Sequence, residues 1–490
     1  MPRPDPFLPL TRHRRLAAQR DRLRETLLRP FRATRIDPRR SGPPNLMILA
    51  VDTLRQDHVH SSLAATPALD AFTCEGLVFD DVTAPAPWTL PSFTSALTGV
   101  MPTLHGAAMR GERRNMSIEA PDSLAEGTGT LADHLAGHGY RTAAIYSNPF
   151  VEFGLAESFE HHTYRNHACS AVAGRALDWI RRHGDRPFCC FVLFNDPHEP
   201  TLPPPRFWVS HLKGAGWSDR ELRALSRWGD DDTVPHLGRI GDPPGERETA
   251  AMIVKRALYS GTVSAVDEAV GAVLQQLESW GLADGTLVSL LSDHGEEFLE
   301  HADAARAWNH DPRDLRGIGH GHTLFQELLH VPWLTRGPGV PQGQRIAAPV
   351  SLCDVAPTLC SWLGVPDFPV PSSSFEPLRG RALSVDDSDD PERILLSEDI
   401  AYGPDIVSVR RGSWKLIAHR GGAPLALFHL DDDPAELVDR KDSDTEVLAA
   451  LTDQLNAWRR LARTDDGSGD NWASTDEDIL KRLKDLGYSD

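Results

Sequence analysis

Three short apolar runs, each followed closely by acidic or histidine residues, are the clearest pattern of hydrophobic and polar positions in this sequence. The runs and their polar successors are Leu46–Val51 before Asp52, Phe188–Phe194 before Asp196 and His198, and Leu287–Ser292 before Asp293 and His294. Each run has strand length and is largely apolar on both faces, which is typical of a parallel sheet covered by helices. Ligands of such sheets bind beyond the carboxyl ends of the strands. The pattern therefore predicts that polar side chains from three strands meet at one sheet edge.

Helical spacing alternates with these strands. An apolar stripe recurs every three or four positions and stops before Gly281, which predicts a core-facing helix. Its members are Val263, Val266, Val270, Val273, Leu274 and Leu277. A further helix at Thr130–Gly137 leads into a strand at Thr142–Tyr146. Strands that alternate with helices predict an α/β fold with a mostly parallel sheet between helices.

The chain of 490 residues exceeds one ordinary domain and divides into a large and a small unit. We expect a basic N-terminal helical extension at 1–44, a large α/β unit at 45–367, a linker at 368–393, a small α+β C-terminal subdomain at 394–463, and an acidic tail with a terminal helix at 464–490. The subdomain's expected elements are strands Ile394–Ser397, Ile406–Arg410, Trp414–Ala418 and Leu425–His429 and a helix at Glu446–Ala462. Residues 200–250 and 301–319 are expected to be long segments near the polar sheet edge.

A hydroxyl residue, Thr89, stands at the start of another helical run. Pro91 suits the first turn of a helix, and Gly99 suits its end. The unpaired N–H groups and the positive dipole end of a helix favour an anion such as phosphate or sulfate. Thr89 is therefore either a residue that acts on such an anion or simply the N-cap of the helix.

Composition limits the compartment. The six cysteines have no metal-binding spacing, and we expect buried thiols in a reducing environment. No apolar stretch approaches the length of a membrane span, and the N-terminus has no apolar core of a secretory signal. The sequence therefore favours a cytoplasmic protein.

Charge is divided unevenly along the chain. The net charge is −19, yet residues 1–44 hold twelve arginines against four acidic residues, which leaves about −27 on the rest. An acidic body argues against nucleic acid as a partner. In residues 10–31, Leu16, Leu23 and Leu27 share one face of a predicted helix whose other face is rich in arginine. Such a helix binds a membrane surface, a partner protein or the chain's own acidic surface, and the sequence leaves these open.

The motifs together resemble the sulfatase-like family of the alkaline phosphatase superfamily. The stretches that carry the resemblance are VDTLRQDH (51–58), PWTLPSFTSALTG (87–99), FNDPHEP (194–200), SDHGEEF (292–298), GHGHTLFQELLHVP (319–332), DVAPTLCSWLGVP (354–366), SVRRGSWKLI (408–417), LFHLDDDPAEL (427–437) and LKRLKDLGY (480–488). They cover about residues 45–490 in the family's order. The resemblance implies an alkaline-phosphatase-like fold, with residues 45–367 as the catalytic domain of a metal-dependent hydrolase of phospho- or sulfoesters.

The resemblance also implies a metal site. Asp52, Asp293 and His294 would hold a divalent cation, with Thr89 as the fourth ligand. One histidine among carboxylates favours zinc or manganese, with calcium or magnesium as alternatives. Asp57 precedes a histidine too, but it lies past the strand end and is not expected to bind the metal.

Histidines complete the implied site. His198 and His320 would contact the transferred group or donate a proton to the leaving oxygen, and His322 is the alternative to His320. In two-metal relatives a second site exists, and Asp196 with His198 and His320 would supply it here. The alternative for each histidine is a solvent-exposed or capping role without a function in catalysis, since the chain contains 21 histidines.

One departure from the family pattern decides the expected chemistry. Sulfatases carry a Cys or Ser in a C/S-x-P/A-x-R pentapeptide that is oxidised to formylglycine, whereas this chain has Thr89 there, and Phe93 in place of the arginine. A secondary alcohol cannot give that aldehyde, so Thr89 itself would be the nucleophile and form a covalent intermediate. Relatives with Thr resemble phosphodiesterases and phosphonate hydrolases, which favours phosphodiester or phosphonate substrates. Arg55 is a candidate to replace the lost arginine.

Two alternatives remain open. The chain could be a sulfatase that works without formylglycine, or a catalytically weak binding protein that keeps the fold. The missing arginine is the feature that points to the weak binder.

Overall fold

The computed structural model of the chain describes residues 42–462, apart from 110–120, 166–167, 200, 202, 217, 219–245, 309–310, 312–316, 367, 371–375, 385–389 and 391. The basic extension, the tail from residue 463 and most of the expected 200–250 segment lie outside the described residues. None of the described helices is long and apolar enough to cross a membrane.

The strands and helices alternate through the large unit as expected. In chain order the strands are β1 (Asn45–Val51), β2 (Leu77–Phe79), β3 (Val82–Thr83), β4 (Arg141–Tyr146), β5 (His161–Tyr164), β6 (Phe188–Phe194), β7 (Thr286–Ser292), β8 (Glu297–Phe298), β9 (Ile318–Gly319), β10 (Trp333–Arg336), β11 (Gln344–Ile346), β12 (Val350–Ser351), β13 (Ile394–Ser397), β14 (Ile406–Arg411), β15 (Trp414–His419) and β16 (Pro424–His429). The helices are α1 (Pro67–Glu75), α2 (Thr89–Thr98), α3 (Pro102–His105), α4 (Leu131–Gly137), α5 (Cys169–His183), α6 (Pro205–Gly214), α7 (Glu246–Ser279), α8 (Ala302–Trp308), α9 (Gln326–Leu329), α10 (Val355–Leu363) and α11 (Thr445–Ala462).

An eight-stranded sheet in the order β11-β2-β10-β7-β1-β6-β4-β5 forms the centre of the large unit. The five strands from β7 to β5 are parallel, and β10 runs antiparallel to both of its neighbours. In the pairing of β1 with β6 and β7, Val51 lies opposite Phe194 and Ser292. The three predicted apolar strands are therefore adjacent, and their polar successors leave the sheet at the same level.

Both faces of the central sheet are buried, which explains the apolar runs. Alternate residues of β1 belong to two different cores, with Leu46 and Ile48 in one and Met47 and Leu49 in the other. Residues of α2, α4 and α10 cover the first face, and residues of α1, α5 and α7 cover the second. The mostly parallel α/β architecture predicted from the sequence is confirmed.

The C-terminal unit is an antiparallel sheet in the order β13-β14-β15-β16, with α11 packed on it. Part of the expected linker is firmly attached rather than loose. Leu378 and Leu383 are buried, and Arg393 donates two hydrogen bonds of 2.7 Å to the buried Asp354. The large and small units therefore share a packed boundary.

One further expectation needs correction. Cys74 is exposed, whereas the other five cysteines are buried free thiols. The described part of residues 301–319 includes α8, which lies beside the C-terminal subdomain around a cavity of about 450 Å³ that is also lined by Phe428 and Leu437.

Candidate active site and metal centre

Asp52, Asp293 and His294 form a fully buried group at the carboxyl ends of β1 and β7. Their ligand atoms lie within 4.8 Å of one another. His294 Nε2 is 3.4 Å from Asp52 Oδ1 and 3.4 Å from Asp293 Oδ2. The structure thus brings together the three side chains that the sequence predicted as metal ligands.

Each carboxylate has one oxygen bonded and one oxygen left over. Asp293 Oδ1 accepts hydrogen bonds from the backbone N–H groups of Thr53 and His294, at 3.2 and 2.9 Å. Asp52 Oδ2 accepts from Asn148 Nδ2 at 2.6 Å. The other two oxygens, Asp52 Oδ1 and Asp293 Oδ2, are buried and have no hydrogen-bond partner. Such atoms are costly to bury, so their convergence on one point fits a bound cation.

The ring of His294 is oriented so that it too could bind a cation. His294 Nδ1 donates to the Gly295 carbonyl at 2.9 Å, which leaves the lone pair of Nε2 facing the two carboxylates. The family pattern of two carboxylates and a neutral imidazole is the donor set of a divalent metal site.

Burial shifts the pKa values of these three groups toward their neutral forms. Burial raises the pKa of Asp52 to about 8, and the nearby charge of Glu296 adds to the effect. Burial and the Asp52 charge raise the pKa of Asp293 well above its usual range. Burial, helped by His320, holds the pKa of His294 well below its ordinary value. A positive ion at this point would favour both carboxylates in their charged form.

Thr89 lies beside this group. Its Oγ1 is 3.4 Å from His294 Nε2 and accepts from Asn148 Nδ2 at 3.3 Å. Thr89 is the first residue of α2 and Trp88 is the N-cap, so the alternative reading of Thr89 as an N-cap is wrong. The helix ends at Gly99 in the left-handed conformation, as expected. Its second turn is held to the site because Ser92 Oγ donates to the Asp293 carbonyl at 2.7 Å.

Asn148 is a site residue that the sequence analysis missed. It follows β4, the neighbour of β6, at the same sheet edge as the other polar successors. Its Oδ1 accepts from the Phe150 N–H at 2.9 Å, which turns the amide nitrogen toward Asp52 and Thr89. The signal was available, because Asn148 stands two residues beyond a predicted parallel strand.

Three histidine rings lie in a row at the site. The His320 ring centre is 4.5 Å from that of His294 and 4.8 Å from that of His198. His320 Nδ1 donates to Glu296 Oε2 at 2.9 Å, and His198 Nδ1 donates to the Glu199 carbonyl at 2.6 Å. Glu296 is nearly fully buried and was also missed by the sequence analysis.

The alternative histidine has a different environment. His322 Nε2 donates to Glu297 Oε2 at 2.9 Å, and both residues are buried. Glu297 also accepts from the His301 N–H at 3.1 Å, near the boundary with the C-terminal subdomain. The structure therefore places His320, and not His322, beside His294 and His198.

Two other candidates do not join the site. Asp196 accepts from the Cys169 N–H at the start of α5, at 2.9 Å, and among the described residues it forms no ligand group with His198 and His320. Arg55 directs its guanidinium to Asp57, to Glu300 and to the Glu296 carbonyl. Arg55 therefore does not replace the missing arginine.

Phe93, at the family's arginine position, belongs to the hydrophobic core. Its ring packs edge-on against Phe191 with centres 5.7 Å apart. This substitution removes a charge and also turns the side chain away from the site.

The match to known proteins agrees with this geometry. The family model described as Sulfatase matches residues 44–365. The chain belongs to the Sulfatase family. This sulfatase-family chain is 25% identical over 495 residues to the choline-sulfatase of Rhizobium meliloti (strain 1021), covering 85% of this chain and 87% of that one.

Solved structures share the fold of this sulfatase-family chain. BT4656, solved in complex with its substrate D-glucosamine-2-N,6-O-disulfate, has a TM-score of 0.65 at 18% identity, covering 88% of this chain and 100% of the other. The phosphonate monoester hydrolase of Agrobacterium radiobacter has a TM-score of 0.59 at 19% identity, covering 86% of this chain and 96% of the other. The protein is thus a Sulfatase-family ester hydrolase with an alkaline-phosphatase-like fold.

Proposed function

We propose that this protein hydrolyses phosphodiesters or phosphonate monoesters of small molecules, with Thr89 as the nucleophile. The observation that carries the proposal is the position of the Thr89 hydroxyl, between Asn148 Nδ2 and His294 Nε2 and beside two unpartnered carboxylate oxygens. Unlike Cys or Ser at this position, threonine cannot become formylglycine, and its hydroxyl forms a stable phosphoester.

Asp52, Asp293, His294 and Thr89 would hold the divalent cation. Two carboxylates, one imidazole and one hydroxyl suit zinc or manganese better than calcium, which prefers an all-oxygen shell. Such an ion supplies charge that lowers the pKa of the Thr89 hydroxyl and offsets the charge of the transferred group.

Asn148 orients the hydroxyl of Thr89. Asn148 donates to Thr89 Oγ1 and so directs the oxygen lone pairs. The Thr89 hydroxyl gives up its proton to solvent as Oγ1 attacks phosphorus in line, so that an Oγ1–P bond forms and the bond to the leaving oxygen breaks. Water then loses a proton as its oxygen bonds to phosphorus, the Oγ1–P bond breaks, and Oγ1 takes up a proton, which regenerates the hydroxyl.

His320 and His198 would serve the leaving oxygen. The carboxylate of Glu296 accepts from His320 Nδ1, which fixes the ring and directs Nε2 away from Glu296. His320 would donate a proton to the leaving oxygen, and His198 would steady the negative charge beside it.

Charge favours a singly charged substrate. Phosphodiesters and phosphonate monoesters carry one negative charge near neutral pH, whereas phosphomonoesters carry nearly two. The family's arginine is replaced by the core residue Phe93, and Arg55 is bonded elsewhere. With fewer fixed cations, the site suits the singly charged substrates.

A comparison of four aryl esters with the same leaving group tests this substrate class. We expect kcat/KM to fall in the order phosphodiester or phosphonate, then phosphomonoester, then sulfate, all measured with one metal. A sulfate ester that reacts faster than the diester would contradict the proposal.

Sulfate ester hydrolysis is the second candidate function, because the relative from Rhizobium meliloti described above is a choline-sulfatase. A formylglycine hydrate expels sulfate by collapsing to the aldehyde, and an ester of Thr89 has no such route. The same four-ester comparison separates the two candidates.

A further inference from the structure

The loop after β1 is held in place residue by residue. The Asp52 N–H donates to the Phe194 carbonyl at 2.9 Å, and the Thr53 N–H donates to Asp293 Oδ1 at 3.2 Å. The Leu54 N–H donates to Ser292 Oγ at 2.9 Å, and the Arg55 N–H donates to the Tyr259 hydroxyl oxygen at 3.0 Å. Four successive N–H groups therefore have four different partners around the candidate metal centre.

Thr53 adopts a strained conformation in this loop. Its φ is +55°, in the left-handed region that a β-branched residue rarely occupies. The conformation aims the Thr53 N–H at Asp293 Oδ1, which also accepts from the His294 N–H, and Asp293 Oδ2 is the oxygen that lies near His294 Nε2. A strained backbone persists only where its surroundings hold it, and this one adjoins Asp52.

Tyr259 supplies that restraint from the middle of α7. Its hydroxyl donates to the Thr53 carbonyl at 2.6 Å and accepts from the Arg55 N–H at 3.0 Å. The ring is buried edge-on against His58 and Phe298, at 4.8 and 5.0 Å between ring centres. One hydroxyl thus ties both ends of the strained turn to a long helix.

We propose that Tyr259 is a positioning residue for the metal centre, since its hydroxyl clamps Thr53 in the conformation that orients Asp293 and fixes the direction of Asp52. This inference rests on the metal site assigned under the proposed function. Tyr259 touches neither the metal ligands' free oxygens nor Thr89, and it acts through the backbone of Thr53.

The chain offers a matched control in Tyr140. This second buried tyrosine donates its hydroxyl to the Pro44 carbonyl at 2.9 Å, just before the opposite end of β1. Both Tyr→Phe changes therefore remove one hydroxyl that is bonded to a backbone carbonyl flanking the same strand. Only Tyr259 flanks the metal-side end.

The test is the dissociation constant of Mn²⁺ and of Zn²⁺, measured by chelator competition on metal-free protein at a temperature where every variant is folded. We expect Tyr259→Phe to weaken metal binding about tenfold, because removing a residue that orients metal ligands commonly has an effect of this size. We expect the affinity of Tyr140→Phe to stay within about twofold of wild type. Urea midpoints of both variants should fall by similar amounts. Equal metal affinity for Tyr259→Phe and wild type, or an equal loss in Tyr140→Phe, would overturn the inference.

A second variant tests the clamp itself. Glycine adopts a positive φ without strain, so residue 53 needs less restraint in Thr53→Gly. We expect Tyr259→Phe to weaken metal binding less than about threefold in the Thr53→Gly background. A full tenfold loss there would show that Tyr259 does not act through the Thr53 conformation. A wild-type protein that binds neither ion would instead overturn the metal site, and the clamp with it.

Discussion

Two neighbouring pairs of glutamate and histidine have opposite fates in this molecule. Glu296 bonds His320 beside His294, whereas Glu297 bonds His322 toward the C-terminal subdomain. The two glutamates are consecutive in sequence, and the two histidines are separated by one residue. The antiparallel pairing of β8 with β9 brings the glutamates close to the histidines, because Glu297 lies opposite Gly319. Identical residue types therefore serve the candidate active site in one pair and the domain boundary in the other.

Partners distinguish the two regions. At the boundary the buried charges are paired, with Lys415 2.7 Å from Glu436 and the Gln326 N–H 2.6 Å from the same carboxylate. His301 is 2.6 Å from Glu327. At the strand ends Asp52 and Asp293 each keep an oxygen without a partner. The comparison teaches that the candidate metal centre differs from the boundary in its charge balance: two unpartnered carboxylate oxygens converge there beside a histidine, whereas the boundary carboxylate of Glu436 lies 2.7 Å from a lysine.

The largest expected effect is at the incompletely paired side. Asp293→Ala should lose the metal and reduce kcat/KM by about 10⁴-fold or more, because it removes a ligand and leaves Asp52 without its partner cation. The fold should persist, since the carboxylate lies at the sheet edge outside the cores. Metal analysis by mass spectrometry and circular dichroism check both points. A variant that retains its full metal content would exclude Asp293 from the site.

The two histidines should separate activity from stability. His320→Ala should lower kcat by about 10²- to 10⁴-fold with a small change in urea midpoint, because it removes a proton donor. His322→Ala should cost about 1–3 kcal/mol of unfolding free energy, because it leaves the buried Glu297 with fewer partners, while kcat per folded molecule changes little. The reverse result would exchange the roles of the two pairs.

Metal-free protein should lose stability as the pH rises. The pKa of Asp52 is raised to about 8 in the folded state and is near 4 in the unfolded state, so the folded state binds more protons between these values. From pH 6.5 to 8 the loss should be on the order of 1–2 kcal/mol, after a smaller opposing gain from His294, which is neutral in the folded state and releases its proton in this range only when unfolded. Urea unfolding of chelator-treated protein at the two pH values measures it.

The control for this pH dependence is Asp52→Asn. The pKa of His301, which burial would lower, is raised to about 9 by its bond to Glu327. Deprotonation of His301 therefore also lowers the free energy of unfolding as the pH rises. The difference between wild type and Asp52→Asn isolates the site. Equal slopes in the two proteins would place the pH dependence at the domain boundary.

The smallest effect is expected at Asp57. This residue is paired with Arg55 and His58 and its side chain is about half exposed. Burial is outweighed by its bonds to His58 and Arg55, which hold the pKa of Asp57 well below its ordinary value, so its stabilising effect disappears only in acid. Asp57→Asn should cost less than about 1 kcal/mol and leave the metal content intact. Loss of the metal in this variant would show that the loop after β1 is less rigid than its hydrogen bonds imply.

The sequence predicted the parts of the site that follow apolar strands. Asp52, Asp293 and His294 come directly after β1 and β7, so strand adjacency alone brings them together. The sequence also led to Asp196, which follows the same kind of strand but accepts from the start of α5 instead. Position after a strand places a side chain at the edge and does not decide which neighbour it meets.

The missed residues depend on tertiary contacts. Asn148 turns into the site because the next residues form a helical turn whose N–H it accepts, and Tyr259 reaches Thr53 from a helix more than 200 residues away. The loss of the family's arginine at position 93 was visible in the sequence. That Arg55 would be taken by Asp57 and Glu300 depends on how two loops meet.

Covalent trapping of Thr89 tests the central claim most directly. Acid quenching during turnover of a slow aryl phosphodiester, followed by peptide mass spectrometry, should locate a phosphoester on Thr89 of the wild type. Thr89→Ser should retain part of the turnover with the label on the new hydroxyl, and Thr89→Ala should have neither label nor turnover. Full activity in Thr89→Ala, or an unlabelled Thr89 in a protein that turns over with a burst of leaving group, would contradict the account.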